Sequence, residues 1–479
     1  MKGEDIFDGI TEIRDDIVEN AAKKPHRSMK KRALGAVAAV LAVAIAAGYF
    51  LWPNSPAAVS AYAISEAAYP EMAQYPGDMI DDYGMPTSDD FDAAYDAWLA
   101  SLKAQRRPDL DAYDLTDYFK SGAAQFLSGT NGENRSLSPL NVYMALAMLA
   151  ELTDGESRAQ ILDLLGADSI EALRQQANDI WNSSYRDDGM AKSVLASSLW
   201  LADDVEFNAD TLATLAENYY ASSYRGEMGS DEFNAALQGW LNEQTGGLLS
   251  DQVGGITLTP ETIMALATTV DFQSKWSDEF DPDRTETGTF HAPGGDVDAE
   301  FMHMRSDGDY YWADNYSAAY RYLASGGRMW FILPDEGVSA DEVLSGGEYM
   351  DMVLDPNGWA DQKRLMINYA VPKFDISSNF DLGDGLKALG VTDVFNAAVS
   401  DFSPMTDMDG ILLGQAQHGV RVAIDEEGVT AVAFTELAMA GSEAPPDDEV
   451  DFTLDRPFIF VVTDGNDLPI FVGVVNNPA

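Results

Sequence analysis

The hydrophobic pattern divides the chain into stretches of different character. From Ala33 to Trp52 twenty residues run without a charge (ALGAVAAVLAVAIAAGYFLW), and a helix of that length spans about 30 Å of hydrocarbon. The run is Ala-rich, so the drive to insert comes from Leu34, Val37, Val40, Leu41, Val43, Ile45, Phe50 and Leu51, together worth about −2 to −5 kcal/mol. Ahead of it, Ile6, Phe7, Ile10, Ile13 and Ile17 fall at helical spacing among acidic residues and predict a short amphipathic helix. Behind it, residues 53–108 are rich in Pro, Tyr, Asp and Ala, and Pro53, Pro56, Pro70, Pro76 and Pro86 interrupt any long element. This part reads as a stalk, with Phe91 to Leu102 as one exposed or loosely docked helix.

Residues 109–479 carry the regular pattern of a folded domain. Leu115, Phe119, Ala123 and Phe126 recur at helical spacing until Gly129 and Asn131-Gly132 end the element. Ser138-Pro139 then opens a helix: Ser supplies an N-cap acceptor, and Pro fits the first helical position because an N–H there has no partner anyway. Leu140, Met144, Ala147, Met148 and Leu152 form its buried face and Asp154-Gly155 closes it. Asp210–Tyr219 and Phe233–Asn242 also read as helices, while Val194–Leu201, Met329–Leu333 and Arg364–Val371 read as strands. Phe458–Val462 and Ile470–Val475 flank a turn and predict a hairpin. Helices come mostly first and strands later, without βαβ alternation, so the fold class is α+β.

Composition narrows the chemistry. The 479 residues include 29 Lys plus Arg against 80 Asp plus Glu, no Cys and four His. A net charge of −51 repels a phosphate backbone, so nucleic acid is excluded as a partner. Without Cys there is no disulfide, thiolate nucleophile or zinc ribbon, and His26, His291, His303 and His418 are too few for a multi-histidine metal site. No Gly-Lys-Ser/Thr phosphate loop, GxGxxG or GxSxG string occurs. No catalytic residue, metal ligand or cofactor is expected.

The charge is divided at residue 52. Residues 1–52 carry eight basic and seven acidic residues, leaving 21 basic against 73 acidic beyond them, a net of −52. Lys23, Lys24, Arg27, Lys30, Lys31 and Arg32 precede the apolar run, and no Lys or Arg follows it until Lys103. The positive-inside rule therefore places residues 1–32 in the cytoplasm, a membrane anchor at 33–52 and the rest outside the cell membrane. A cleaved secretory signal is the alternative, with Ala61-Tyr62-Ala63 at a cleavage-like spacing. The 32-residue leader and the length of the apolar run argue against it.

Strings across the folded region, taken in order, resemble the serpin family from about residue 112 to Ala479. Asn134, Ser138-Pro139 and Gly155-Glu156-Ser157-Arg158-Ala159-Gln160-Ile161 resemble the segment under the opening point of the family's main sheet. Lys275-Trp276, Phe280-Asp281-Pro282, Thr285, Phe290, Leu333-Pro334, Pro372-Lys373-Phe374, Leu389-Gly390, Asp401-Phe402-Ser403, His418, Arg456-Pro457-Phe458 and Asn477-Pro478 keep its spacing. The chain departs from the family where Ser197, Gln238 and Thr268 replace Asn and Asn141 replaces Ser. The resemblance implies a large central β-sheet, further sheets, surrounding helices and an exposed reactive loop. It also implies a sheet-opening region of Asn134, Ser138, Pro139, Thr268 and His418.

By family spacing the loop's hinge is Glu426, Glu427, Gly428, Val429, Thr430, Ala431, Val432 and Ala433, and the reactive bond joins Ser442 to Glu443. A cleaved loop that enters a sheet as a new strand must turn alternate residues toward a core. Val429, Ala431, Ala433, Thr435, Leu437 and Met439 make one such face, none of them charged. About ten new ladder hydrogen bonds at roughly 0.5–1.5 kcal/mol each give on the order of 10 kcal/mol to drive the rearrangement. Val432 and Phe434 are bulkier than the small residues usual in this hinge.

The expectation is an extracytoplasmic suicide-substrate inhibitor of serine proteases, itself a monomer without enzymatic activity, from a bacterium. Ser442 preceded by Ala440-Gly441 fits small specificity pockets, hence an elastase-like or subtilisin-like target. No Lys or Arg lies between Gly428 and Glu449, which disfavours a trypsin-like one. The alternative is a non-inhibitory surface binding or adhesion protein on the same scaffold.

Overall fold

A computed structural model describes residues 59–81, 85–107, 110–130, 132–247, 253–414, 416–429 and 446–479, all within the unit Pro56–Ala479. The predicted anchor at 33–52 and the segment before it lie outside the described residues. Among the described residues, no helix is long and apolar enough to cross a membrane.

The helices are α1 (Phe91–Gln105), α2 (Thr116–Leu127), α3 (Pro139–Leu152), α4 (Gly155–Leu164), α5 (Ile170–Ser184), α6 (Ala209–Tyr219), α7 (Asp231–Gln244), α8 (Ala340–Gly346), α9 (Glu348–Leu354) and α10 (Gly383–Ala388). The strands are β1 (Ala63–Ser65), β2 (Arg135–Leu137), β3 (Arg186–Asp187), β4 (Ala191–Ala202), β5 (Ala221–Gly226), β6 (Met264–Lys275), β7 (Glu286–Ala292), β8 (Gly295–Trp312) and β9 (Tyr316–Tyr322). They continue with β10 (Arg328–Pro334), β11 (Gln362–Pro372), β12 (Phe374–Asp381), β13 (Gln417–Ile424), β14 (Gly428–Val429), β15 (Glu449–Thr453), β16 (Phe458–Thr463) and β17 (Pro469–Val475).

Two sheets carry the domain. The first runs β1-β5-β4-β6-β14-β13-β12, with β3 paired to β4; the second runs β15-β11-β8-β9-β10-β16-β17-β2, with β7 paired to β8. In the first, β4 and β6 pair antiparallel from Ala191↔Ser274 to Leu201↔Met264, and β5 joins β4 in parallel. On the other side β12 and β13 pair from Phe374↔Ile424 to Asp381↔Gln417. Among the described residues, only the two of β14 lie between these blocks.

The core follows from the sequence pattern. Ser138 caps α3 by accepting the Asn141 N–H, with Pro139 at the first position. Every residue of α3 except Ala145 is buried, as expected for a helix that is apolar all round. β16 and β17 are buried throughout, so their continuous apolar runs belong to an interior pair of strands.

The described part of residues 53–108 differs from the predicted stalk. Ala63 and Ser65 pair with β5 and add a strand to the edge of the first sheet. Tyr69 packs on Trp181, Tyr185 and Tyr220, Met72 is buried, and α1 buries Trp98. Pro breaks regular elements but does not prevent irregular chain from docking. The aromatic side chains of this segment supply the apolar area that holds it down.

Candidate functional site

The predicted hinge begins where β13 ends, and a tight turn determines its course. The Asp425 carboxylate accepts the N–H groups of Glu427 at 2.9 Å and Gly428 at 3.1 Å, while the Asp425 N–H donates to the Gly428 carbonyl. This reversal sends Gly428 and Val429 back between β6 and β13, with Gly428 opposite Lys275, and Val429 opposite Ser274 and Ile424. Val429 is 1% exposed. Gly428 and Val429, the third and fourth residues of the predicted hinge, are therefore already seated in the sheet.

The turn is held from outside as well. Trp276 donates its backbone N–H to the Glu427 carbonyl and its indole N–H to the Asp425 carbonyl, and Phe280 N–H donates to the Glu426 carbonyl. The Glu426 carboxylate accepts the Thr285 hydroxyl at 2.7 Å and lies 3.4 Å from the Lys373 ammonium. Burial opposes ionisation of Glu426, but these two donors outweigh it and hold its carboxyl below the usual range. For Lys373 likewise, burial opposes the charge while Glu426 and Glu300 together raise its value above the ordinary one.

Below β14 no ladder pairs β6 with β13 among the described residues, although the two strands approach within 8 Å, Cα to Cα. Because β14 is antiparallel to both, β6 and β13 run parallel, and six residues back from the Ser274–Ile424 level stand Thr268 and His418. His418 is 1% exposed, and its Nε2 accepts the Ser138 backbone N–H at 3.0 Å. Burial pushes its imidazole down to about 4, so the ring is neutral at physiological pH. Beside it, the Ser378 hydroxyl of β12 accepts the Ser136 N–H at 2.9 Å. In the first turn of α3 the amide of Asn141 is buried without a partner among the described residues, a cost that a fully paired site would avoid.

Ser138 and His418 are thus brought together, with Pro139 beside Ser138 at the start of α3, while Thr268 lies on β6, paired with Ser197 of β4. Asn134 does other work: its side chain accepts the N–H groups of Asn476 and Asn477 and donates to the Asn477 carbonyl, pinning the C-terminal strand. Glu426, Glu427, Gly428 and Val429 form the turn and the seated pair. Thr430, Ala431, Val432, Ala433, Ser442 and Glu443 lie outside the described residues. Sequence reasoning missed the functional contacts of Trp276, Thr285 and Lys373; its one available signal was their fixed spacing. Among the described residues, no group of three or more His, Asp and Glu side chains is placed to hold a metal ion.

The serpin (serine protease inhibitor) family model matches residues 118–478. An alpha-1-antitrypsin of Meriones unguiculatus is 27% identical over 379 residues, 77% of this chain and 90% of that protein. Alpha-1-antiproteinase 2 of Equus caballus is 25% identical over 378 residues, 77% and 87%. Tengpin, a thermophilic serpin solved in the native state, superposes with a TM-score of 0.66 at 25% identity, covering 76% of this chain and 94% of tengpin. The Arabidopsis serpin solved in its native stressed conformation shares the fold with a TM-score of 0.67 at 22% identity, covering 78% and all of that chain. A match that extends over nearly the whole folded region agrees with a loop base seated between two strands of a large sheet, and the chain belongs to the serpin family.

Proposed function

We propose that this serpin is an extracytoplasmic suicide-substrate inhibitor of serine proteases. The observation that carries this reading is the seating of Gly428 and Val429 between β6 and β13. A loop with two residues already seated between β6 and β13 is placed to continue between these strands once it is cut and β6 moves aside. The target's serine attacks the Ser442 carbonyl, forming an acyl-enzyme and releasing the chain from Glu443 onward as the leaving group. Insertion of Thr430, Ala431, Val432, Ala433 and the residues after them then carries the tethered protease away and distorts its active site before water completes hydrolysis. Release of stored strain by loop insertion is the general serpin device. Ser442 directs the inhibitor to elastase-like or subtilisin-like targets, and the protein contributes the loop and the strain rather than catalytic groups.

The apolar run at 33–52 anchors the protein in the cell membrane of a bacterium, with residues 1–32 cytoplasmic and the serpin domain, as a monomer, outside. Incubation of the full-length protein in detergent with elastase-, subtilisin- and trypsin-like proteases tests the function. A covalent complex that survives SDS, with a released C-terminal peptide beginning at Glu443, is expected with the first two. Clean cleavage without complex overturns the inhibitor reading in favour of a binding scaffold.

A further inference from the structure

Trp98, in the segment that precedes the family-matched region, is linked to the hinge by hydrogen bonds. Its indole N–H donates to Asp188 Oδ2 at 2.7 Å. Asp188 has no exposure at all and is fully engaged. Its Oδ2 also accepts Arg186 Nε at 2.8 Å, and its Oδ1 accepts the N–H groups of Met190 at 3.0 Å and Ala191 at 2.9 Å. The carbonyl of Asp188 accepts the Tyr75 N–H, and the Tyr75 ring lies edge-on to Trp98 at 5.0 Å. From Asp188 the connection continues in two directions. Ala191 stands opposite Ser274 in the β4–β6 ladder, and Arg186 donates to the Ser325 carbonyl, whose own N–H donates to the Ser274 hydroxyl at 3.0 Å. Ser274 is the residue opposite Val429.

This path crosses a mechanical boundary. To admit a full strand beside β13, β6 must move away from it together with β4, β5 and β1, because continuous ladders join these four strands. Ser325 lies in the turn between β9 and β10, which belongs to the other sheet. The bonds from Arg186 and Ser274 to Ser325 therefore tie the moving block to a part that stays. A buried guanidinium keeps its aim only while its carboxylate partner is fixed, and Trp98 helps to fix that carboxylate.

We infer that Trp98 and Asp188 are positioning residues that hold the sheet closed, so that the segment before the family-matched region sets how readily the loop inserts. The inference rests on the loop-insertion reading above. It predicts that weakening the Trp98–Asp188 bond accelerates insertion.

The test uses the full-length protein and a synthetic peptide of residues 429–440, which can enter between β6 and β13 without any protease. Peptide uptake is followed by native gel and by the rise in melting temperature, for wild type, Trp98→Phe, Asp188→Asn and the control Phe91→Leu, a position on α1 that makes none of these hydrogen bonds and reaches Trp98 through the Tyr95 ring. Trp98→Phe keeps an aromatic ring and removes the donor; it is expected to take up peptide about three- to tenfold faster, with Asp188→Asn in the same direction and Phe91→Leu unchanged. Uptake by Trp98→Phe and Asp188→Asn within twofold of wild type overturns the inference while leaving loop insertion intact. Equal acceleration by Phe91→Leu also overturns it, as mere loosening of α1. Failure of wild type to take up peptide, or to gain thermal stability on loop cleavage, overturns the insertion reading and this inference with it. If Trp98→Phe fails to fold, as judged by circular dichroism, the Asp188→Asn rate alone decides.

Discussion

Gly428 faces the backbone of β6 so closely that a Cβ built on it would lie 2.6 Å from Lys275 Cα, and closer still to the Ser274 carbonyl oxygen. The three nearest atoms are all backbone atoms of Ser274 and Lys275, so no flexible neighbour can give way. Gly428→Ala is therefore expected to unseat the hinge, at a cost of about 1–3 kcal/mol from overpacking. The predicted readout is a lower denaturation midpoint for the uncleaved protein and a shift from covalent complex toward cleaved product. An unchanged ratio of complex to cleaved product would show that the pair need not be seated.

In the proposed insertion, Val429 is the first inward-facing side chain of the new strand. Replacing it by Glu places a charge where the environment is apolar and 1% exposed, which is strongly unfavourable without a partner. Val429→Glu is expected to be cut by the target at a rate near wild type and to form little or no covalent complex. Retained complex formation in this variant would mean that insertion does not pass through position 429.

Two buried groups titrate with opposite sign. Burial pushes His418 down from 6.5 to about 4 and Asp464, in the turn between β16 and β17, up from 3.8 to about 6. The native state binds fewer protons at His418 than the unfolded chain does, so this contribution is complete above pH 6.5 and is lost as pH falls through 4. The Asp464 contribution is complete below pH 3.8 and is lost as pH rises through 6. Each amounts to about 3 kcal/mol over its window, and within pH 4–6 they offset one another. Between pH 7 and pH 4, His418→Gln is expected to lose less stability than wild type and Asp464→Asn to lose more, measured as urea midpoints. Parallel pH profiles for all three proteins would contradict the assignment.

The acidic balance beyond residue 52, −52, acts before any contact forms. Surface charge of one sign steers cationic partners and is screened over about 8 Å at physiological salt. Association with a cationic protease is expected to slow by about tenfold or more between low salt and 0.5 M NaCl. Association with a neutral protease of the same specificity is expected to change by less than about twofold. Stopped-flow association rates at several salt concentrations distinguish the two, and equal salt slopes would remove charge from the account of target choice.

Long, strongly periodic elements were legible before the structure. The helix opened by Ser138-Pro139, the strands at β4, β10 and β11, and the final hairpin all depend on local signals: a cap, a period, a turn. The stalk reading went astray because five prolines spoke louder than Tyr69, Tyr75 and Trp98, whose partners Trp181, Tyr185 and Asp188 lie about ninety or more residues downstream. Trp276, Thr285 and Lys373 could be noticed as spaced residues but not as the supports of Asp425 and Glu426, since those contacts span more than fifty residues of chain.

By itself the sequence determined the acidic exterior, the absence of thiol chemistry, the α+β pattern and an uncharged loop face with a period of two, because each is a property of composition or of neighbours along the chain. Only the tertiary structure decided that Thr268 and His418 stand on parallel strands, that Gly428 and Val429 are seated between those strands, and that Trp98 is linked to β6 through Asp188. Those relations depend on which strands pair and in which register. Register is fixed by the burial of whole faces at once, and no short stretch of sequence carries that information.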